Sequence, residues 1–502
     1  MTDKKKRSWI DILRGKGAPG APQPAPSAPS GPAALDLSLL RTPPDRDWLA
    51  CVDFGTAFSK ICLVRRHGAG MTKAEHVRPL RIGPEVTRGS RSFFAPSTLY
   101  IVKSRIYFGA RALQVSSDHN DPGRDCFQSP KQVLSEMADG ALDVPPSIRQ
   151  DPTQSFTRGE LTVLLLAHLI WNANASSWEE GLGALPRLRF ARPAWKPEQL
   201  RRGEAQLLTL FAKAFAVAGT LGKELVDREG LPVARAKAVF DLPRDDKELV
   251  RLMRDRMEVG DDEADSIQRG FVPEATAVAA AAIHPEDGKR RIFVVVDVGA
   301  GTTDFGAFVA VPGNGDGRIG ELRRGQRVIL RAGNFLDEQV VALLRDKAGL
   351  TEGMPSSVAP LAYLRREAAR IKQDLFIRRS ITVQLPNDQF VSAQLDELLA
   401  RAPLQSFSSD LWERFSETFQ AAVEFTRGLA STTPPIEVIL TGGGSELPMV
   451  RELVSQAHRE GRFPVKLIEA APAWSGRATW KQAFAQLAVA VGGAMPAMPE
   501  QR

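Results

Sequence analysis

Two short stretches pair acids with glycine turns. "VVVDVGAGTTDFGAF", Val294 to Phe308, is an apolar β-branched run ending in Asp297, a turn holding Gly299, Ala300, Gly301, Thr302 and Thr303, and a second acid, Asp304. The glycines let a backbone approach an anion closely, and the threonines add hydroxyl donors. Two acids inside an apolar strand pair are costly unless partnered, and a cation and an attacking water are suitable partners. The alternative is a hairpin with solvent-facing acids, which flanking strands apolar on both faces argue against. "VDFGTAFSK", Val52 to Lys60, has the same plan: Asp53, then Gly55, Thr56 and Ala57 in a turn, then Ser59 and Lys60. Here Asp53 would orient waters on a divalent cation, the turn N–H groups and hydroxyls would hold phosphate oxygens, and Lys60 would reach the terminal phosphates. An ordinary Gly-turn hairpin fits the second stretch equally well when it is read alone.

Further motifs are weaker singly. "VILTGGGSELP" places Gly442, Gly443, Gly444 and Ser445 between a buried strand and a helix, where a flat ligand can lie on bare backbone. In "FVPEATAVAAAA", Glu274 heads an alanine-rich helix; it either favours the helix dipole or orients water or metal.

The elements that must position these residues read as strand–turn–strand at 48–66 and again at 293–311. "RVILRAGNFLDEQVVALLRDKAG" reads as strand, glycine turn and helix, and long helical patterns run over about 156–178 and 197–221. Two acid–glycine hairpins about 240 residues apart imply a duplicated α/β unit, with the hairpins face to face across a cleft.

The order of the motifs resembles the actin-like ATPase superfamily, and within it the DnaK-type heat-shock protein 70 nucleotide-binding domain. "VDFGTAFSK" and "DVGAGTTDFG" look like its two phosphate loops, "VPEATAVAAA" and "AFAQLAVAVGGA" its connecting motifs, and "LTGGGSELPMV" its adenosine motif. The resemblance covers about residues 48–496. It implies a bilobal α/β fold of two duplicated ribonuclease-H-like subdomains with a nucleotide cleft between them, divided as 47–288 and 289–496, with tails at 1–46 and 497–502. It implies ATP and Mg2+ as cofactors: Asp53 and Asp297 hold magnesium through waters; Glu274, Asp297 and Asp304 orient or activate the attacking water. Gly55, Thr56, Ala57, Lys60 and the backbones of Gly299 to Thr303 bind phosphates; Gly333, Asn334, Lys372 and Gly442 to Ser445 line the nucleoside. Lys60 is also expected to act in phosphoryl transfer, because the chaperone lysine that follows the glycine of "FGARAL" is replaced by Leu113. Glu446 stands where chaperones stack an arginine on adenine, and Ala369 replaces an acid near Lys372.

Composition narrows the classes. The chain has 502 residues with 43% apolar and 25% charged content. Of its net +7, +4 lies in residues 1–46, which hold eight Lys/Arg against four Asp, so the remainder is nearly neutral and gives no footing for nucleic acid. Three cysteines without metal-like spacing point to a reduced, cytoplasmic protein, and no run of eighteen apolar residues exists. "KKKRSWIDILRGK" with Trp9, Ile12 and Leu13 on one face reads as a membrane-surface or partner-docking tether through residues 4–14, or as a solubilising tail; a Pro/Ala linker follows at 18–33. The charged run "RDDKELVRLMRDRMEVGDDEAD" reads as a solvated helical face or a docking surface. The expected function is a stand-alone chaperone-like ATPase without a peptide-binding domain, whose nucleotide state an unidentified protein partner reads. The alternatives are a filament-forming, self-assembling actin-like protein and a nucleotide-binding scaffold with little hydrolysis.

Overall fold

The structure is a computed structural model. It describes residues 34–502 except 67–72, 88–89, 137–139, 194, 261–264, 266, 268, 284–289, 313–316, 428–434, 462 and 502. The tether at 4–14 and the linker at 18–33 lie outside the described residues.

The first sheet contains β1 (Trp48–Asp53), β2 (Phe58–Arg65), β3 (Val77–Pro79), β4 (Arg187–Arg192) and β5 (Phe271–Pro273), in the spatial order β5-β4-β1-β2-β3. The second contains β6 (Arg291–Val298), β7 (Thr303–Val311), β8 (Arg318–Glu321), β9 (Arg327–Ile329), β10 (Ile436–Thr441) and β11 (Val465–Ile468), with the order β11-β10-β6-β7-β8 and β9 beside β7. The two orders are the same: an antiparallel hairpin, two strands parallel to its first arm, one antiparallel to its second. The expected duplication is therefore present at the level of topology, in a bilobal α/β fold of the actin-like ATPase type.

Helices α1 (Gly109–His119), α2 (Pro130–Glu136), α3 (Arg158–Glu179), α4 (Pro197–Leu221) and α5 (Glu274–Ala282) belong to the first half; α6 (Gly333–Ala348), α7 (Pro355–Arg378), α8 (Ala402–Arg427), α9 (Pro448–Glu460) and α10 (Phe484–Gly493) belong to the second. The α3 helix starts at a capping box. Thr157 Oγ1 accepts from the Glu160 N–H at 3.1 Å, and Glu160 Oε2 accepts from the Thr157 N–H at 2.8 Å. Its apolar residues, Leu161 to Ile170, sit in the first core. The stretch Glu198–Val226, around α4, is long and apolar enough to cross a membrane by length and composition, but most of it is buried in that same core. In the charged run, Asp245 caps the helix Asp246–Arg256, whose Leu249, Leu252, Met253 and Arg256 face inward. That part of the run is a solvated helix with one packed face.

Strand periodicity decides where the acids point. In β6, Ile292, Val294, Val296 and Val298 enter the core of the second lobe, while Phe293 and Val295 enter a central layer between the sheets. Asp297 shares the Phe293 face. In β1, Ala50 and Val52 enter the first core and Cys51 enters the central layer, so Asp53 shares the Cys51 face. The same count puts Lys60 with Cys62 and Val64, and Asp304 with Phe308 and Ala310. All four charged residues thus project toward the central layer from the ends of the hairpins.

That layer is formed by α5 and α10. The α5 helix leaves the first sheet and packs on β6 and β7, whereas α10 packs on β1, β2 and β4 of the first sheet. The two helices meet through backbone and methyl groups. A Cβ on Gly492 would lie 1.6 Å from the Ala277 carbonyl oxygen, and one on Gly493 would lie 2.3 Å from Cys51 Sγ. Only glycine permits this approach.

Candidate functional site

The hairpin ends, the starts of α2, α5 and α6, and the loop before α9 enclose a cleft of about 250 Å³. Asp53, Gly55, Thr56, Ala57, Lys60, Glu274, Asp297, Gly299, Ala300, Gly301, Thr302, Gly333, Asn334, Lys372, Gly442, Gly443 and Gly444 all line it. Three expected residues stand behind the wall. The Thr303 hydroxyl donates to the Arg331 carbonyl at 3.1 Å, Asp304 accepts from Thr302 Oγ1 at 2.8 Å, and Ser445 is buried. The turns face each other closely: a Cβ on Gly301 would lie 2.8 Å from Thr56 Oγ1. Gly442 has φ +82°, and its added Cβ would lie 2.2 Å from the Val298 carbonyl oxygen, so this turn lies against the end of β6. Hydrogen bonds from Gly333 N–H to Gly299 O (3.2 Å) and from Asn334 N–H to Ala300 O (2.7 Å) tie the start of α6 to the second hairpin turn.

Register sets the electrostatics. Asp53 pairs with Lys60 across the first hairpin; at the equivalent place in the second, Asp297 pairs with Asp304. Lys60 Nζ lies 2.7 Å from Asp53 Oδ2. Burial alone would push Asp53 up, but Lys60 and Lys131 outweigh it and hold the carboxyl below its ordinary value. Among the described residues no ion pair holds Asp297, and Lys60 lowers it only at longer range. Burial, then the Glu274 charge, pushes it up to about 7, against a 2.9 Å hydrogen bond donated by Thr441 Oγ1. Burial, Glu274 and Asp297 likewise hold Asp304 well above the carboxylate range.

Sequence reasoning missed Lys131. It lies on α2, buried, with Nζ in contact with Glu274 Oε1 and 3.6 Å from Asp53 Oδ1. Burial pulls its ammonium down, but Glu274, Asp53 and Asp304 together raise it above its ordinary value. A single lysine in "FQSPKQVL" carries no spacing signal; only the fold brings it to residues 78 and 143 positions away. Thr441 and Asp337 were also missed. Lys372 Nζ is held by Asp337 Oδ1 at 2.8 Å and by the Gly333 carbonyl at 3.0 Å. Leu113 is on α1, 41% exposed, and does not line the cleft. Glu446 turns outward to Arg451, while Ala369 and Gln373 line the wall.

The donor chemistry bears on magnesium. Four carboxylates, Asp53, Glu274, Asp297 and Asp304, stand against two ammonium groups, Lys60 and Lys131. Fully ionised they would leave an excess of two negative charges, the charge of one divalent cation. Among the described residues no three acid, histidine or cysteine side chains close around a direct metal position. The excess of carboxylates over ammonium groups would suit a divalent ion held through waters, as magnesium prefers.

The family model described as Hsp70 protein matches residues 268–472. Heat shock 70 kDa protein BIP3 of Oryza sativa subsp. japonica is 29% identical over 189 residues, 36% of this chain and 26% of the relative. Chaperone protein DnaK of Stenotrophomonas maltophilia is 29% identical over 192 residues, covering 37% and 30%. Chaperone protein DnaK of Thermoplasma acidophilum is 27% identical over 196 residues, covering 37% and 30%. The match thus spans less than a third of the length of each relative. The duplicated sheets, the facing acid–glycine hairpins and these matches together make the chain similar to the Hsp70 family over part of its length, in a DnaK-like nucleotide-binding domain.

Proposed function

We propose that this protein binds ATP with magnesium in the cleft between lobes 47–288 and 289–496, hydrolyses it, and uses the change to alter lobe closure that a protein partner reads. The observation that carries the reading is the pair of acid–glycine turns facing each other at Thr56 and Gly301, over four buried carboxylates and two lysines. Phosphoryl transfer asks for positioning and charge neutralisation more than for covalent chemistry, and this cleft is built to provide both.

Backbone N–H groups of the two turns, with the Thr56 hydroxyl, bind phosphate oxygens. Lys372 steadies Gly333 and the start of α6, which together with Gly442 to Gly444 line the nucleoside. Magnesium, held through waters by Asp53 and Asp297, would neutralise the phosphates. Glu274 and Asp297 orient the attacking water, and Asp304, held through Thr302, shapes the charge behind them. The three cysteines are free, which fits the cytoplasmic setting.

The test is ATP turnover by the full chain with magnesium, beside Asp297→Asn. Turnover in the wild type and its loss by about 100-fold or more in the variant is the expected pair of results. Equal turnover in both would remove Asp297 from the mechanism, and a wild type that does not bind ATP would overturn the reading of the cleft.

A further inference from the structure

A second cavity, of about 590 Å³, is lined entirely by residues of the first lobe and shares none of them with the cleft between the lobes. A chain of side chains runs along one of its walls, starting on α3. His168 Nδ1 lies 2.8 Å from the Leu225 carbonyl oxygen, which can only accept, so Nδ1 carries the proton. Burial pulls the imidazolium down to about 4. The ring is therefore neutral, and Nε2 accepts from Asn172 Nδ2 at 3.2 Å. Asn172 stands one helical turn further along α3, where an i, i+4 pair shares a face. Its Oδ1 accepts from Arg91 Nη2 at 2.8 Å, which fixes the amide orientation.

Arg91, at the end of this chain, is committed on one side of its guanidinium. Nε donates to the Gly83 carbonyl at 3.0 Å, and Nη2 donates to the Ile82 carbonyl at 3.2 Å as well as to Asn172. Those bonds use the Nε proton and both Nη2 protons. The two N–H groups of Nη1 have no acceptor among the described residues. All three acceptors are neutral. Among the described residues no carboxylate pairs with Arg91; burial holds its guanidinium below the ordinary value, and Glu179 and Glu85 oppose that only at longer range. A half-buried cation held in place by neutral groups, with one nitrogen unused, is a preorganised anchor for an anion.

The remaining walls suit an apolar body attached to that anion. The Phe108 ring stacks on His168, with centroids 5.0 Å apart and planes 11° apart. Pro96, Leu225 and Val226 continue the apolar surface. The start of α1 also lines the cavity; its first turn has neither an acid nor a side-chain cap, so the helix dipole favours the same sign of ligand charge. At the rim, Arg111 and Arg228 are balanced by Asp227 and Glu229. One positive charge therefore stands unmatched, and a second negative charge on a ligand would meet the two rim acids.

From these observations we infer that this cavity is a second ligand site, for a small organic monocarboxylate. The carboxylate sits on Arg91 Nη1 and the apolar body lies along Phe108, Leu225 and Val226. His168 and Asn172 are positioning residues that act through Arg91. The volume is that of a pocket for a metabolite-sized molecule. The inference does not depend on ATP binding in the cleft.

The experiment titrates the full chain with benzoate, indole-3-acetate and octanoate, beside benzamide and phenyl phosphate, by calorimetry. Wild type, Arg91→Gln and Val226→Trp are compared, and the thermal midpoint of each is measured without ligand. The wild type is expected to bind at least one carboxylate with a Kd of about 1 mM or tighter, and about tenfold tighter than benzamide or phenyl phosphate. Arg91→Gln is expected to weaken that binding about tenfold or more. Val226→Trp fills the cavity from a position 43% exposed, leaves the anchor intact, and is expected to weaken binding as much with little change in thermal midpoint. A wild type that binds no carboxylate of the panel by about 1 mM overturns the site. Benzamide binding as tightly as the carboxylates overturns the role of Arg91 as anion anchor, and phenyl phosphate binding as tightly overturns the monocarboxylate class. Unchanged carboxylate affinity in either folded variant places the probe elsewhere and also overturns the inference. Should Arg91→Gln fail to fold, Val226→Trp decides alone.

Discussion

Asp297 offers a prediction about the protein without metal or nucleotide. Burial and the Glu274 charge push its carboxyl from the ordinary 3.8 up to about 7. Between those values the native state binds a proton that the unfolded chain has released. The contribution to stability is therefore fully present below the ordinary value and is lost as pH rises through the native one. A displacement from 3.8 to about 7 corresponds to ~4 kcal/mol over the whole range. Integrated only from about pH 5 to about pH 8, the loss is ~3 kcal/mol. In Asp297→Asn the side chain keeps its shape and can still accept the Thr441 hydrogen bond, but it has no proton to lose. Urea unfolding in chelator, at both pH values, isolates the effect as the difference between variant and wild type, because distant titrating groups cancel. The variant is expected to gain ~3 kcal/mol on the wild type from the lower pH to the higher. Asp304 is raised partly by Asp297, so its own step also softens in the variant. Adding magnesium at about pH 8 is expected to stabilise the wild type and not the variant. Two profiles that run parallel across the range would refute the claim that Asp297 is a buried carboxyl lacking a cation.

Two smaller predictions concern the nucleoside wall. Glu446→Ala is expected to change ATP affinity by no more than about twofold, since that carboxylate is exposed and held only by the surface pair with Arg451; a tenfold change in titration calorimetry would place it in the site after all. Gly442→Ala forces a side chain into φ +82° and against the Val298 carbonyl, so a loss of about 3 kcal/mol in denaturant unfolding is expected, and a loss under about 1 kcal/mol would mean that the turn adapts freely.

The parts of the site legible in the amino-acid sequence are those whose chemistry is local. An acid, a glycine turn and a returning strand lie within a dozen residues, so their spacing alone aims Asp53 and Asp297 at one end of a hairpin. The long helical patterns at 156–178 and 197–221 are also short-range, and helices run over 158–179 and 197–221. Lys131 is illegible there because its value comes from where α2 starts, which depends on the packing of a separate small sheet made of Thr98–Val102, Arg105–Phe108, Phe127–Gln128 and Leu231–Pro232. Leu113 misleads for the same reason: the motif around it is recognisable, but its side chain is exposed and does not line the cleft. Thr441 is within reach, since it ends a strand parallel to β6 and pairs directly with Asp297, but that pairing becomes visible only once the sheet order is known.

The crossing of α5 and α10 has a mechanical consequence. Long side chains interlock like gear teeth and resist turning, whereas a contact between a glycine and a carbonyl oxygen has no teeth. The Gly492–Ala277 contact presents no interlocking side chains, so it would act as a smooth bearing for the lobe closure proposed above. Glu274 sits three residues from Ala277, about one helical turn or ~5 Å along the same rigid rod. On the function proposed above, rotation of the lobes about this contact would move Glu274, close to the pivot, less than the hairpin turns farther from it.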